Sequence, residues 1–495
     1  MDRRQFCGAT LAASVAAAYP FLAAFGRQAT VAARADTGIP AISLEGAEIE
    51  LEKAAINELG DSLTGELLLS GHPRYDSARM IWNGMHDKRP ALIARCRSAE
   101  DVSQAVTFAR ERDLLVAVRG GGHSWPGKSV CEGGIVIDLS VMNGVNVDPD
   151  ARRARAGGGA LLYGLDNAAR AHGLITTAGV VSHTGVGGYT LGGGFGRLNR
   201  KFGLTIDNLK SAQIVTADGR IRRVSDEQDA DLFWAIRGGG GNFGVVTEFE
   251  YQLHPFPLRP YLGVVVWPME QAGEVLDFYA EWQAGLSDEL YTGPNLATMP
   301  DGQGVLVMEV VYAGDPADGE REAAPLFDIG KPLDNNVGLN DYLEFQTKHD
   351  AALGHGIRSY AKSAMVKDIS QELLDTLLEA YVLDPRVGMF THTAGGAVKR
   401  VDESATAFPH RNAETMLVFA GFWTDAAQDD EVIAAVREYY ARIEPFAGGY
   451  YDNIDFERSR ETANYGPAHK RLAKVKAQHD PGNLFRLNSN VKPAS

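Results

Sequence analysis

Residues 91–118 alternate between two hydrophobic periods. A short apolar run at 91–95 is followed by Ser98, by the carboxylates Glu100 and Asp101, and then by Val102, Ala105, Val106 and Ala109 on one helical face. Serine caps exposed helix N–H groups and first-turn carboxylates suit the helix dipole, so the pattern predicts a strand and then a helix. A second apolar run, 114–118, completes a βαβ unit, and 135–139 predicts another buried strand. Asp218-Gly219 between the runs 211–217 and 220–224 predicts a hairpin, 229–236 a short helix and 245–249 a strand. Pro255, Pro257 and Pro260 then mark a boundary. Beyond it, strands are predicted at 262–267, 290–298, 305–312, 387–392 and 416–422, with helices at 271–283, 369–380 and 426–440. This is the signature of an α+β layer, an antiparallel sheet covered on one face by helices. From Gly448 the tail carries Tyr450, Tyr451, Asn453 and Tyr465, then a basic helix at 467–478 and a turn at 480–483.

Three glycine blocks interrupt this pattern. The first follows the run at 114–118: Arg119, Gly120, Gly121, Gly122, His123, Ser124 and Trp125. Consecutive glycines suit close backbone approach to a ligand, and His123 would lie beside it. A flavin tethered through that ring is one reading; a glycine-rich turn with an incidental histidine is the other. The second block holds Gly185, Gly187, Gly188, Leu191, Gly192, Gly193, Gly194 and Gly196 within residues 184–196. So many glycines argue against a stable helix or strand there, and they expose N–H groups suited to a pyrophosphate. A low-complexity linker would be flanked by Ser and Pro rather than by Leu198 and Phe202. In the third block, 237–244, Gly239, Gly241 and Gly244 satisfy GxGxxG. A dinucleotide fingerprint follows a strand and opens a helix, whereas here a predicted helix precedes and a strand follows, so the Rossmann reading is rejected.

The chain has 495 residues, long enough for two domains, and its 55 glycines are in excess of ordinary usage, which is loop chemistry. A net charge of −16 argues against nucleic-acid binding. Arg3-Arg4-Gln5-Phe6, an alanine-rich apolar stretch and Ala33-Arg34-Ala35 read as a cleavable leader over residues 1–35, resembling the twin-arginine export signal. A membrane anchor is the competing reading of this stretch, which Pro20 interrupts. The expected mature protein is exported to the periplasm or beyond, without stable membrane insertion, after contact with the twin-arginine machinery. Cys96 and Cys131 remain after cleavage; they read as buried small hydrophobes rather than a disulfide, and no metal-ligand spacing is present.

These motifs together resemble FAD-linked oxidases of the berberine-bridge-enzyme type, in the vanillyl-alcohol-oxidase (PCMH-type) fold group. The carriers are the run from Arg119 to Ser124, Gly185-Val-Gly-Gly188, the run from Leu191 to Gly196, Asp207-Asn208, the stretch 231–244, and Asp480-Pro481-Gly482-Asn483-Leu484-Phe485-Arg486. The resemblance implies an α+β chain with a two-subdomain FAD-binding domain at 40–256, an inserted substrate domain at 257–447, and a segment 448–495 returning to the FAD domain. It implies FAD bonded to His123 and held also by Val181, Val245, Val246, Asn453, Asn488 and Asn490 together with the glycine blocks. Two departures stand out. Val181 occupies the position where many members carry a second flavin-linking cysteine, so one covalent bond is expected. Ile454 ends the Tyr451-Asp452-Asn453-Ile454 stretch where many members place a tyrosine base.

The implied chemistry is oxidation of a CH–OH or CH–NH group in a small-molecule substrate, with O2 the expected acceptor. Such a step needs proximity and a base. Tyr451 is the first base candidate, then Tyr450 and Asp455; a phenol needs its pKa lowered for that role. His183, Thr190, His410 and Arg411 are further candidates for the pocket wall. Alternatives are a flavin-binding protein that has lost activity, a dehydrogenase using another acceptor, and a nicotinamide-dependent reductase on the same fold.

Overall fold

A computed structural model describes residues 34–454, 456 and 464–495, so residues 1–33 of the expected leader 1–35 and the base candidate Asp455 lie outside the described residues. The predicted βαβ unit is present. Leu92–Arg95 and Val116–Arg119 flank Ile135–Asp138 in parallel, and Glu66–Leu68 adds an antiparallel edge. The connecting helix is Ala99–Glu111; Ser98 Oγ accepts from the Asp101 N–H, and Val102, Ala105, Val106 and Ala109 are fully buried. A second, antiparallel sheet contains the predicted hairpin, Leu209–Val215 with Ile221–Ser225, then Val245–Gln252, Arg153–Gly157 and Val145–Asp148.

The third sheet has eight antiparallel strands, with Tyr261–Pro268, Gly304–Tyr312, Leu290–Thr298, Val387–Thr393, Thr415–Trp423 and Arg358–Val366 as its long members in that order. The α+β expectation therefore holds. Helices Ala272–Trp282, Gln371–Glu379 and Asp429–Ile443 cover one face through Val275, Leu276, Leu373, Leu377, Val432 and Val436, which pack on Val265, Trp267, Met308 and Phe419. Side chains alternate along a strand, so the other face carries a different set. There Phe390, Val418 and Phe422 pack against Phe195 and Tyr451, and Tyr291 and Val311 against Leu198. The second glycine block thus lies against the uncovered face of the large sheet.

Two sequence expectations need correction. Val186–Leu191 is helical despite its glycines. Burial of Val186, Thr190 and Leu191, with the Val186 N–H donating to Ala160 O at 2.8 Å, outweighs the poor intrinsic propensity. Arg358–Val366 is a strand that the hydrophobic pattern did not reveal, because its serines and Lys362 blur the alternation. Both Cys96 and Cys131 are buried and free. Among the described residues no helix is long and apolar enough to cross a membrane, and no group of side chains is arranged to hold a metal.

Candidate functional site

Strand Val116–Arg119 delivers the first glycine block, and the segment 81–83 holds it from outside. The Trp82 N–H donates to Gly122 O at 2.9 Å, and Asn83 Nδ2 donates to Trp125 O at 2.7 Å. The Trp82 indole stacks on the His123 imidazole, with centroids 4.1 Å apart and planes 13° from parallel. Ser124 Oγ accepts from the Lys128 N–H at 2.9 Å, turning the chain after the histidine. Arg119 donates Nη1 to Ala78 O, while its Nε is buried without a partner.

His123 is half-buried as a residue, but Nε2 is fully covered and has no hydrogen-bond partner. Burial first, then His183 and His355, hold its pKa well below the ordinary value, so the ring is uncharged with an available lone pair. The His183 ring centroid lies 5.0 Å from that of His123, and His355 lies 5.7 Å from His183.

The three glycine blocks meet. An ideal Cβ on Gly121 would lie 2.4 Å from Gly185 Cα, so the first and second blocks touch backbone to backbone. Gly187 also approaches Gly158 O, a Cβ there reaching 2.9 Å, whereas Gly188 faces open space. Gly238 and Gly240 both donate to Leu191 O at 3.0 Å, joining the third block to the second. Gly194, at φ +85°, takes a backbone conformation that L side chains resist, and a Cβ there would strike Thr205. Gly196 packs on Ala178 O, and Gly244 leads into strand Val245–Gln252, where Val245 and Val246 are buried. Gly120 lies over Gly158 O, Gly193 against Phe408, and Val181 is half-buried beside Ser182, whose Oγ donates to Asp350.

The tail closes this assembly. Asn488 Nδ2 donates to Gly241 O at 3.0 Å, and Asn242 exchanges bonds with Ser489 O and the Val491 N–H. Asn490 lies between those two residues. Lys128 Nζ reaches Ser489 Oγ at 2.8 Å and the Asp452 carbonyl at 3.3 Å, tying the turn after His123 to both tail segments. Asn453 Nδ2 donates to Tyr189 O at 3.3 Å, and a Cβ on Gly192 would lie 2.5 Å from the same amide.

The two tyrosine candidates lie in different surroundings. Tyr451 is buried, its hydroxyl accepts from the Gly194 N–H at 3.1 Å and from Asn453 Nδ2 at 3.0 Å, and burial pushes its pKa up to about 12. The lowered pKa that a base requires is absent; Tyr451 is a clamp on the second glycine block. Tyr450 packs against the helix-covered core, on the opposite side of the sheet. Thr190 is buried and bonded to Tyr251 Oη at 2.7 Å, and Arg411 is fully buried against Asp207, so neither lines an open wall. Trp82 and the strap 348–357, which carries His355 and accepts the Trp82 indole N–H at Leu353 O (2.7 Å), were not anticipated. No local pattern marks either one.

An orphaned uncharged imidazole beside converging glycine backbones fits a flavin dinucleotide: the ring is available for a bond, and the backbones offer N–H donors where side chains would intrude. Comparison with known proteins agrees. The family model described as "FAD binding domain" matches residues 90–225, and that described as "Berberine and berberine like" matches 450–492. An FAD-linked oxidoreductase of Dictyostelium discoideum is 31% identical over 88% of this chain and 97% of its own length. The (R)-6-hydroxynicotine oxidase of Paenarthrobacter nicotinovorans is 32% identical over 87% and 97%. The solved 6-hydroxy-D-nicotine oxidase of Arthrobacter nicotinovorans superposes with a TM-score of 0.80 at 30% identity, covering 88% of this chain and 99% of that one. A chitooligosaccharide oxidase shares the fold at 23% identity and a TM-score of 0.79. This chain is therefore a member of the FAD-linked oxidoreductases of the berberine-bridge-enzyme type.

Proposed function

We propose that the protein is an exported flavoprotein oxidase that carries FAD through a single bond to His123 and oxidises a CH–OH or CH–NH group of a small molecule, passing electrons to O2. Residues 40–256 and 448–495 would hold the cofactor, and 257–447 the substrate. The observation that carries the reading is the uncharged His123 ring, stacked on Trp82 with Nε2 unpartnered, where the three glycine blocks meet.

Only a neutral imidazole has a lone pair to form a carbon–nitrogen bond, and burial keeps His123 in that state. The Trp82 stack fixes the ring plane, and the Gly121–Gly185 contact fixes the loop. Bound FAD supplies the hydride acceptor, and a covalent bond both retains it and tunes its potential. Val181 offers no second nucleophile. Tyr451 and Asn453 hold the 192–194 turn.

The test is the colour of acid-precipitated protein. A yellow pellet, lost in His123→Ala with the yellow passing to the supernatant, is the expected result. A wild-type pellet that bleaches while its supernatant turns yellow would refute the covalent bond. Replacing Arg3 and Arg4 by Lys should leave the enzyme inside the cell; unimpaired export would refute the twin-arginine route.

A further inference from the structure

Between the second glycine block and the uncovered face of the large sheet lies a buried ionic cluster that the proposed flavin site does not use. Arg197, directly after Gly196, grips Glu309 with both ends of its guanidinium fork, Nε to Oε2 and Nη2 to Oε1, each at 2.9 Å. Its third contact is to Gln346, whose amide donates to Gly179 O at 2.8 Å and to Asp166 at 3.2 Å. The Arg197 side chain is 1% exposed, so this pair is closed to solvent. A second cation, Lys348, donates to the already neutralised Glu309 at 2.9 Å. Its side chain is 25% exposed, and Nζ lies 3.7 Å from the centroid of the Phe345 ring. Two cations share one carboxylate, so one positive charge is left over, and Lys348 is the less enclosed of the two.

The surrounding titratable groups cancel it only in part. Burial drives His349 down to about 3 and His392 down to about 4, so both rings are uncharged at neutral pH. Burial raises Asp166 to about 7, leaving it only partly ionised. Tyr291 and Tyr342 are held protonated by burial. Lys348 itself is brought down to about 8, chiefly by burial, and so remains mostly charged at pH 7. His392 Nδ1 is buried with no hydrogen-bond partner.

From this cationic corner an aromatic bench runs toward His123. Phe390 and His392 are two positions apart on strand Val387–Thr393 and share a face. The centroids of Phe390 and Phe422 are 6.1 Å apart, those of Phe422 and Trp125 are 5.6 Å apart, and Trp125 meets Trp82, the ring beneath His123, at 5.1 Å. A sugar platform would present hydroxyl and amide groups along this line; this one presents rings with one charged end.

We propose that this bench seats the substrate and that Lys348 holds its anionic end, so that the substrate is a flat aromatic alcohol or amine bearing a carboxylate. The proposal rests on the flavin-oxidase reading above and narrows its substrate class. Lys348 is a specificity-determining residue; no proton or electron is assigned to it.

The test is calorimetric titration of the purified protein at pH 7 with benzoate, benzyl alcohol, benzylamine and cellobiose. Benzoate should bind tightest. Lys348→Met should weaken benzoate by about tenfold to a hundredfold, the worth of one charge-assisted hydrogen bond, with benzyl alcohol unchanged within about twofold. Lys348→Arg should keep benzoate within about fivefold of wild type, and Phe390→Ala should weaken benzoate and benzyl alcohol alike. Benzylamine or cellobiose binding tighter than benzoate, an absence of benzoate binding, or a Lys348→Met protein that binds benzoate as wild type does, would overturn the proposal. Calorimetry needs no flavin signal. A yellow protein that fails it refutes the substrate class alone, and a colourless protein refutes the flavin reading.

Discussion

Lowering the pH from 6.5 to 5 should destabilise the protein, and the structure supplies both sign and size. Burial holds His349 at about 3 and His254, His355, His392 and His410 at about 4. In the unfolded chain each would titrate near 6.5, so at pH 5.5 the unfolded state binds about five protons that the folded state refuses. Stability therefore falls with pH, by up to about 1.4 kcal/mol per unit for each ring. Asp166 acts in the opposite sense. Its folded pKa of about 7 means the folded state holds a proton between pH 7 and the ordinary carboxyl range that the unfolded state lacks, which offsets one histidine. His123 is left out, because a flavin bond would take the place of its proton. The five residues keep some surface exposure, His355 most of all, so solvent screens part of the remainder, and the net slope should be about 2 to 4 kcal/mol per pH unit. Urea titrations followed by tryptophan fluorescence at pH 6.5, 5.75 and 5, at fixed ionic strength, report it as a falling midpoint. His392→Asn removes one of the net four contributions and should lessen the fall by about a quarter. A midpoint that is flat or rises on acidification, or a variant with the wild-type slope, would refute the reasoning.

Two further outcomes follow from packing. Glu309→Gln leaves Arg197 buried without its counter-charge and should cost about 3 kcal/mol, whereas Arg197→Met combined with Glu309→Leu should return to within about 1 kcal/mol of wild type; thermal unfolding compares them. Gly121→Ala forces a methyl group into the Gly185 backbone, which cannot yield as a side chain would, and should cost about 1 to 3 kcal/mol and bleach the acid pellet, while Gly188→Ala, with open space around it, should keep both stability and colour.

Much of the fold was legible because its cues are local. Ser98 with two first-turn carboxylates announces the helix Ala99–Glu111, and Asp218-Gly219 announces a hairpin. The glycine blocks were legible as places of close backbone approach, and Gly121 against Gly185 is one such contact. The strand Arg358–Val366 was not legible, since Lys362 and its serines are buried through tertiary partners rather than through alternation. Nor was the helix inside the second glycine block, where long-range burial outweighs propensity. Trp82 and Lys348 illustrate the limit for the site: each reaches it from far along the chain, and neither has neighbours in sequence that betray the contact. Tyr451 shows the converse. Its motif position suggested acid–base work, but two donors at its oxygen and full burial make it an anchor.

The Lys476 ammonium, wholly enclosed, binds Asn242 O, Phe485 O and Asp480, and Asn242 in turn binds Ser489 and Val491. A stretch made late in the chain is thus built into the interior of a body begun far earlier in the sequence. That body cannot close before residues 476–491 are made, because some of its inner hydrogen bonds are formed with them. Late completion, slowed by contacts spanning about half the chain's length, is the expected kinetic signature.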